Sequence, residues 1–222
     1  MAYQWDFGAL WQYRALIGAG ALTTLAFTLL TAALGMGVGV LVAVGRILGR
    51  AWLVAPLVAL VEVFRCTPVL VQLVWCYYAL PVLIGVEMSP AAAAAITLSL
   101  YGGSFYAEII RGGIASVEAG QWDAGRALGM TRGKLMRNVV MPQALKRMVP
   151  PLVNQTILQL KNTSLVSVLA VPDLLYQGQL ITSATYRPLE AYTLVAAAYF
   201  AMLFPLTRLA QLLERRLARS GA

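Results

Sequence analysis

The chain reads as an all-α integral membrane protein with five transmembrane helices, and three observations carry that reading. Of its 222 residues, 60% are hydrophobic and only 12% charged, whereas a soluble domain uses about 25% charged residues to cover its surface. Five apolar runs are of the order of the about 20 residues that cross about 30 Å of hydrocarbon. The Lys and Arg residues that produce the net charge of +8 collect in alternate connections between those runs.

Residues 1–20 are an amphipathic segment. Trp5, Phe7, Trp11 and Tyr13 stand where a cleavable signal would carry its charges, and such rings suit a membrane interface. The first span covers about 21–45 and ends at Arg46 and Arg50; its Gly35, Gly37 and Gly39 permit a close helix contact. The next apolar region, 51–86, is too long for one straight span and is interrupted by Glu62, Arg65, Thr67 and Pro68. It divides into an interfacial helix near 52–64 and a span over 68–84. Proline lacks the amide donor, so the join leaves a backbone carbonyl free, which a membrane tolerates where protein lines a cavity. The remaining spans cover about 90–110, 148–171 and 190–212, and 215–222 form a tail.

Thirteen of the seventeen Lys and Arg residues fall in 46–50, 111–147 and 208–219. By the positive-inside rule those connections are cytoplasmic, with the N-terminus outside and the C-terminus inside. This accounts for the basic charge without nucleic acid.

The sequence offers no catalytic constellation. Histidine is absent, which removes the commonest metal ligand. Cys66 and Cys76 lack metal or redox spacing and read as packing residues. GMTRGKL (129–135) has the wrong spacing and no Ser or Thr for a phosphate loop.

The longest polar interruption, GQWDAGRALGMTRGKLMRNVVMPQ (120–143), has structure of its own. Residues 121–128 favour a short helix, Gly129 is placed to close it in the left-handed conformation, and Thr131 to cap a second helix ending before Pro142. This pattern resembles the EAA loop of ABC-importer permeases. Asp123-Ala124-Gly125 stands for Glu-Ala-Ala, Gly129 is in register, and Val139, Met141 and Pro142 occupy the last positions. Gly at 125 departs from the pattern and weakens the helix. EVFRCTPVLVQL (62–73), YAEIIRGGIASVEAGQ (106–121), MPQALKRMVPPLVNQ (141–155) and LKNTSL (160–165) are similar to stretches of the polar amino-acid permeases within those importers, the histidine, glutamate, glutamine, arginine and opine type.

The resemblance implies the type I importer permease fold in the bacterial inner membrane. It also implies a subunit without ATPase motifs that binds no cofactor. Its partners would be two ATPase subunits carrying ATP and Mg, a second permease copy or paralogue, and an extracytoplasmic binding protein. Asp123, Ala124, Gly125, Arg126 and Gly129 would then dock on the ATPase. The substrate cavity would involve Cys66, Thr67, Pro68, Val69, Lys161, Asn162 and Thr163. Cys66 takes the place of the family's usual glycine, and its side chain would narrow that cavity.

Lys161 lies near the middle of its span, where a charge must be paired or solvated. It receives the carboxylate of a zwitterion, pairs with Glu62 or Glu108, or snorkels along its stem to the interface. Thr156, Gln159 and Asn162 are neutral neighbours on its helix, and no Asp or Glu lies between 148 and 171. This favours a neutral or acidic amino acid over a cationic one. Glu62 with Arg65 and Glu108 with Arg111 are three residues apart and read as a gate or as structural pairs. The competing class is a stand-alone ion-coupled transporter or channel.

Overall fold

The computed structural model describes residues 3–219, with side chains to Leu217. Met1, Ala2 and residues 220–222, which belong to the segment and tail read from the sequence, lie outside the described residues. A 3₁₀ turn, Gly8–Tyr13, feeds α1 (Arg14–Leu48). Then come α2 (Ala51–Cys66), α3 (Val69–Tyr78), α4 (Leu80–Ile84) and α5 (Pro90–Ala115). The polar connection holds α6 (Ala119–Ala127) and α7 (Arg132–Leu135), followed by a π-helical turn, Met136–Val140. The chain closes with α8 (Met141–Asn162), a 3₁₀ stretch Thr163–Leu169, α9 (Leu174–Thr185) and α10 (Pro188–Arg219).

Three helical stretches, Gly8–Leu48, Pro90–Ala115 and Pro188–Leu217, are long and apolar enough to cross a membrane alone. Two bent pairs reach that length only together: α2 with α3, at 109°, and the run Arg132–Leu169 with α9, at 45°. Up to five crossings result if each bent pair is one span.

Several boundaries differ from the sequence reading. Helix α1 begins at Arg14 instead of 21, so the separate N-terminal segment is shorter; nothing between Arg14 and Gly20 stops a helix, and Gly20 packs on the backbone of Leu174. Pro142 does not end the helix before it. The Met141 amide bonds back five residues to the Met136 carbonyl, and this π turn carries the chain into α8 with Pro142 in its first turn, where no amide donor is needed. The fourth span is α-helical only to Asn162, then tightens, turns at Ala170 (φ 56°) and continues as α9, which the sequence reading did not contain.

Helices α1 and α5 form the central crossing. Gly35 and Gly39 face Gly103, close enough that a Cβ at Gly39 would lie 2.6 Å from the Tyr106 Cβ and 3.1 Å from the Ala107 amide nitrogen. Gly37 opens onto free space and takes no part. Small residues let helices pack where hydrophobicity supplies no drive between them. One end of the bundle is fastened by Glu108, which bonds Arg46 on α1 and Arg111 at 2.9 Å. At the other end Glu190, fully buried, binds the Tyr3 hydroxyl, the Asp6 amide at 3.1 Å and Arg187 at 2.9 Å. The hydrogen bond to Glu190 raises the pKa of both Tyr3 and Arg187 above their ordinary values.

Candidate functional site

Two regions meet the chemistry anticipated from the sequence, one at the end carrying Arg46 and Arg111, the other within the bundle.

The first is a capped elbow. Helix α6 closes as expected: Gly129 has φ +71°, its amide bonds the Arg126 carbonyl at 2.9 Å and the Met130 amide bonds the Gly125 carbonyl at 3.1 Å. The Thr131 hydroxyl accepts from the Lys134 amide at 3.5 Å and starts α7. A core of Val117, Leu135, Val140, Ala144 and Met148, with Trp122 and Met130 against it, ties the elbow to α5 and α8. Arg147 adds a bond to the Ser116 carbonyl. Gly125 is buried, and a Cβ there would lie 2.2 Å from Leu135 Cδ1. The departure from alanine that costs helix propensity thus makes room for the leucine that anchors α7. Asp123 and Arg126 pair at 3.2 Å on the exposed face beside Ala124. Leu128, 81% exposed at the tip, joins that surface; the sequence reading passed over it as a helix former.

The second region is the α2–α3 break. Thr67 is extended, and Pro68 cannot donate to the Phe64 carbonyl. The Gln72 side-chain amide replaces the missing donor, bonding the carbonyls of Phe64 and Thr67, each at 2.9 Å. Gln72 escaped the sequence reading, although an amide four residues beyond the proline was the available signal. Replacing it with leucine leaves two carbonyls unpaired at about 1–3 kcal/mol each. The expected outcome for Gln72→Leu is a lower melting temperature of the purified protein, read by differential scanning fluorimetry.

Beside the bend, against α5, lies a cavity of about 380 Å³, with Phe64, Thr67, Gln72, Trp75, Thr97 and Leu100 in its wall. Thr67 is the one residue of the anticipated set that lines it. Cys66 is instead exposed, its sulfur 3.6 Å from a Glu62 carboxylate oxygen, so it does not narrow this cavity. Pro68 is exposed, while Val69 packs with Leu165 on the cluster of Leu73, Leu98 and Val166. That cluster brings the break and the Lys161–Ser164 stretch onto the same part of α5.

Lys161 is exposed in the last turn of α8 and forms no ion pair among the described residues. The carboxylates considered as its partners are engaged elsewhere, Glu62 by Arg65 at 3.4 Å and Glu108 by Arg46 and Arg111. Asn162 is half-buried; Thr163 is buried and donates to the Leu160 carbonyl at 2.6 Å. Thr156 shares a hydrogen bond of 2.9 Å with Tyr106 and so straps α8 to α5. Arg65 also lies over the Phe105 ring, 5.7 Å from its centre.

Two buried polar residues make contacts that were not anticipated: Gln159, expected only as a neutral neighbour of Lys161, and Asp173. Gln159 donates to the Leu98 carbonyl at 2.8 Å beside Gly102. Asp173 caps α9 through the Tyr176 amide at 2.8 Å and accepts from the Tyr199 hydroxyl at 3.3 Å. Gln159 carries no local signal, because its partner lies 61 residues away; Asp173 caps its own helix locally, but its contact with Tyr199 exists only in the fold.

A bundle of long apolar helices, interrupted by a polar elbow with its own core, defines a membrane transport component. The family model for the inner membrane component of binding-protein-dependent transport systems matches residues 35–219, and the chain belongs to that family of ABC-importer permeases. It is 40% identical to the glutamine transport system permease protein GlnP of Escherichia coli (strain K12), over 96% of this chain and 98% of that one. It is 35% identical to the arginine transport system permease protein ArtQ of Bacillus subtilis (strain 168), over 70% and 71%. A crystal structure of an amino acid ABC transporter with histidines superposes with a TM-score of 0.92 at 36% identity, covering 96% of this chain and all of that one. The fold is shared further with the MetNI methionine ABC transporter, at a TM-score of 0.75 and 23% identity.

Proposed function

We propose that this chain is the membrane-spanning permease subunit of an ATP-driven importer of polar amino acids, with neutral or acidic substrates favoured. The observation that carries this reading is the capped elbow, a rigid two-helix projection with an exposed outer face, placed to receive a push. Two ATPase subunits, which hold ATP and Mg, would bind through Asp123, Ala124, Arg126, Gly129 and Leu128, with Gly125 seating the helix from within. With five crossings, the distribution of Lys and Arg supports an elbow and C-terminus in the cytoplasm and an N-terminus outside. An extracytoplasmic binding protein would deliver the substrate.

An exposed ammonium in the middle of a span has no place against lipid. Lys161 therefore supports a second copy of the chain, or a paralogue, that covers this face and encloses a polar chamber bounded by Lys161, Asn162 and the break at Cys66–Val69. Glu62 and Arg65 would border its cytoplasmic side, while Glu108 and Arg111, joined by Arg46, fasten helices. Rocking of the two bundles about that chamber gives alternating access. Asp173, the carboxylate nearest in sequence, spends its oxygens on the α9 cap and Tyr199, which leaves Lys161 as the charge that selects.

The test is ATP hydrolysis by the assembled complex with its binding protein across a panel of amino acids. Loss of one charge-assisted hydrogen bond, about 1.5–3 kcal/mol, predicts a half-saturation about ten- to hundredfold higher for Lys161→Ala. An unchanged value moves the substrate away from Lys161, and a response dominated by arginine overturns the preference for neutral or acidic side chains.

A further inference from the structure

A second groove, of about 410 Å³, lies on the outside of the bundle between α1, α5 and α8. Its wall is entirely apolar and contains four methionines, Met36, Met136, Met141 and Met148, flexible side chains that adapt to a mobile guest. Along α1 it runs from Met36 to Leu48. Twelve residues at about 1.5 Å each make it about 18 Å long, close to one leaflet's share of the about 30 Å hydrocarbon core.

Unpartnered positive charge adjoins the lining in sequence at the end formed by Leu48 and Met136. Arg50 follows Leu48 by two residues, and Arg137 follows Met136 directly. Both side chains are exposed and neither has a partner among the described residues, unlike Arg46, which Glu108 holds. At the other end Met36 neighbours glycines and apolar residues. An apolar slot of leaflet depth, with an exposed and unpartnered arginine just beyond the lining residue Leu48 and another beside Met136, suits a single lipid with an anionic head.

We propose that this groove binds one acyl chain of an anionic phospholipid, with the phosphate-bearing head between Arg50 and Arg137. Guanidinium groups recognise phosphate oxygens in pairs, which neutral ammonium-bearing heads compensate internally. The floor is made by the π turn and the start of α8, the joint between the elbow and its span. A bound chain therefore wedges α1 against that joint and stiffens it.

The purified assembled complex, exchanged into mixed phosphatidylglycerol and phosphatidylcholine micelles, tests this by native mass spectrometry and by ATP hydrolysis in nanodiscs of either lipid. Expected are phosphatidylglycerol adducts that survive where phosphatidylcholine does not, and at least a fivefold loss of that preference in the Arg50→Gln/Arg137→Gln double variant. Val44→Trp, which fills the slot from a half-exposed lining position, should remove the adduct while the arginines remain. Equal retention of both lipids, or an adduct indifferent to Val44→Trp, overturns the proposal. So does protection of a cysteine placed at Val44 by a neighbouring copy of the chain, which would make the groove a protein interface.

Discussion

Replacing Gly39 with leucine is expected to leave no assembled protein to purify. The added Cβ alone would stand 2.6 Å from the Tyr106 Cβ and 3.1 Å from both the Ala107 nitrogen and the Gly103 oxygen. Two of those atoms belong to the α5 backbone and cannot rotate away, so the helices must separate. Overpacking costs about 1–3 kcal/mol where side chains can yield, and more where they cannot. In a membrane no solvent drives the pair back together, because lipid tails are as apolar as the helix faces they would replace. The consequence would spread: the same crossing aligns Glu108 with Arg46. The measurement is the yield of monodisperse protein after detergent extraction, with Gly37→Leu beside it. Gly37 has no atom within 4 Å of its Cβ position, so that variant should purify as the unmodified protein does. Equal yields for both would mean that α1 and α5 are held by something other than this contact.

Leu135→Asp is expected to abolish coupled ATP hydrolysis while leaving the spans inserted. Leu135 is 2% exposed and occupies the centre of the cluster that joins the elbow to α5 and α8. Truncating such a leucine costs about 2–5 kcal/mol, and a carboxylate in its place adds desolvation. Helix α6 has nine residues and α7 four, too short to persist alone, since isolated helices below about 12 residues are marginal in water. The elbow should therefore lose its shape as a unit. Normal membrane yield and melting of the spans, with hydrolysis by the assembled complex no longer responding to substrate, is the expected pair of results. Retained coupling would show that force does not pass through this joint. Gly125→Ala forms the milder companion, because the atom it meets is the end of a leucine side chain that can turn aside.

Gly125 and Gly39 differ in how much of their role is local. At Gly125 helix propensity alone gave a weakened helix; the structure supplies the compensating contact with Leu135. At Gly35, Gly37 and Gly39 the spacing indicated a close approach, yet only the positions of α5 distinguish the two contacting glycines from the free one. The break at Pro68 was legible because proline acts on its own neighbours. Gln72, which repairs it, was not, because its role depends on the 109° bend that brings it back over Phe64 and Thr67. Pro142 misled for a related reason. A local rule says where an amide is missing, but whether the chain stops or absorbs the gap in a π turn depends on what the following helix packs against.

What the sequence determined by itself is whatever depends on transfer between water and lipid or on the few residues nearest in the chain. This covers the apolar runs, the basic end, the cap geometry of Thr131 and Gly129, and the family to which the elbow belongs. What only the tertiary structure decided is everything that requires two distant segments to meet: helix α9 and its buried Asp173, the Tyr106–Thr156 strap, the Glu190 clamp on the N-terminal segment, and the exposure of Lys161. A single residue's solvation energy is written in its chemistry, whereas a contact's energy exists only once the helices that bring it about have been placed.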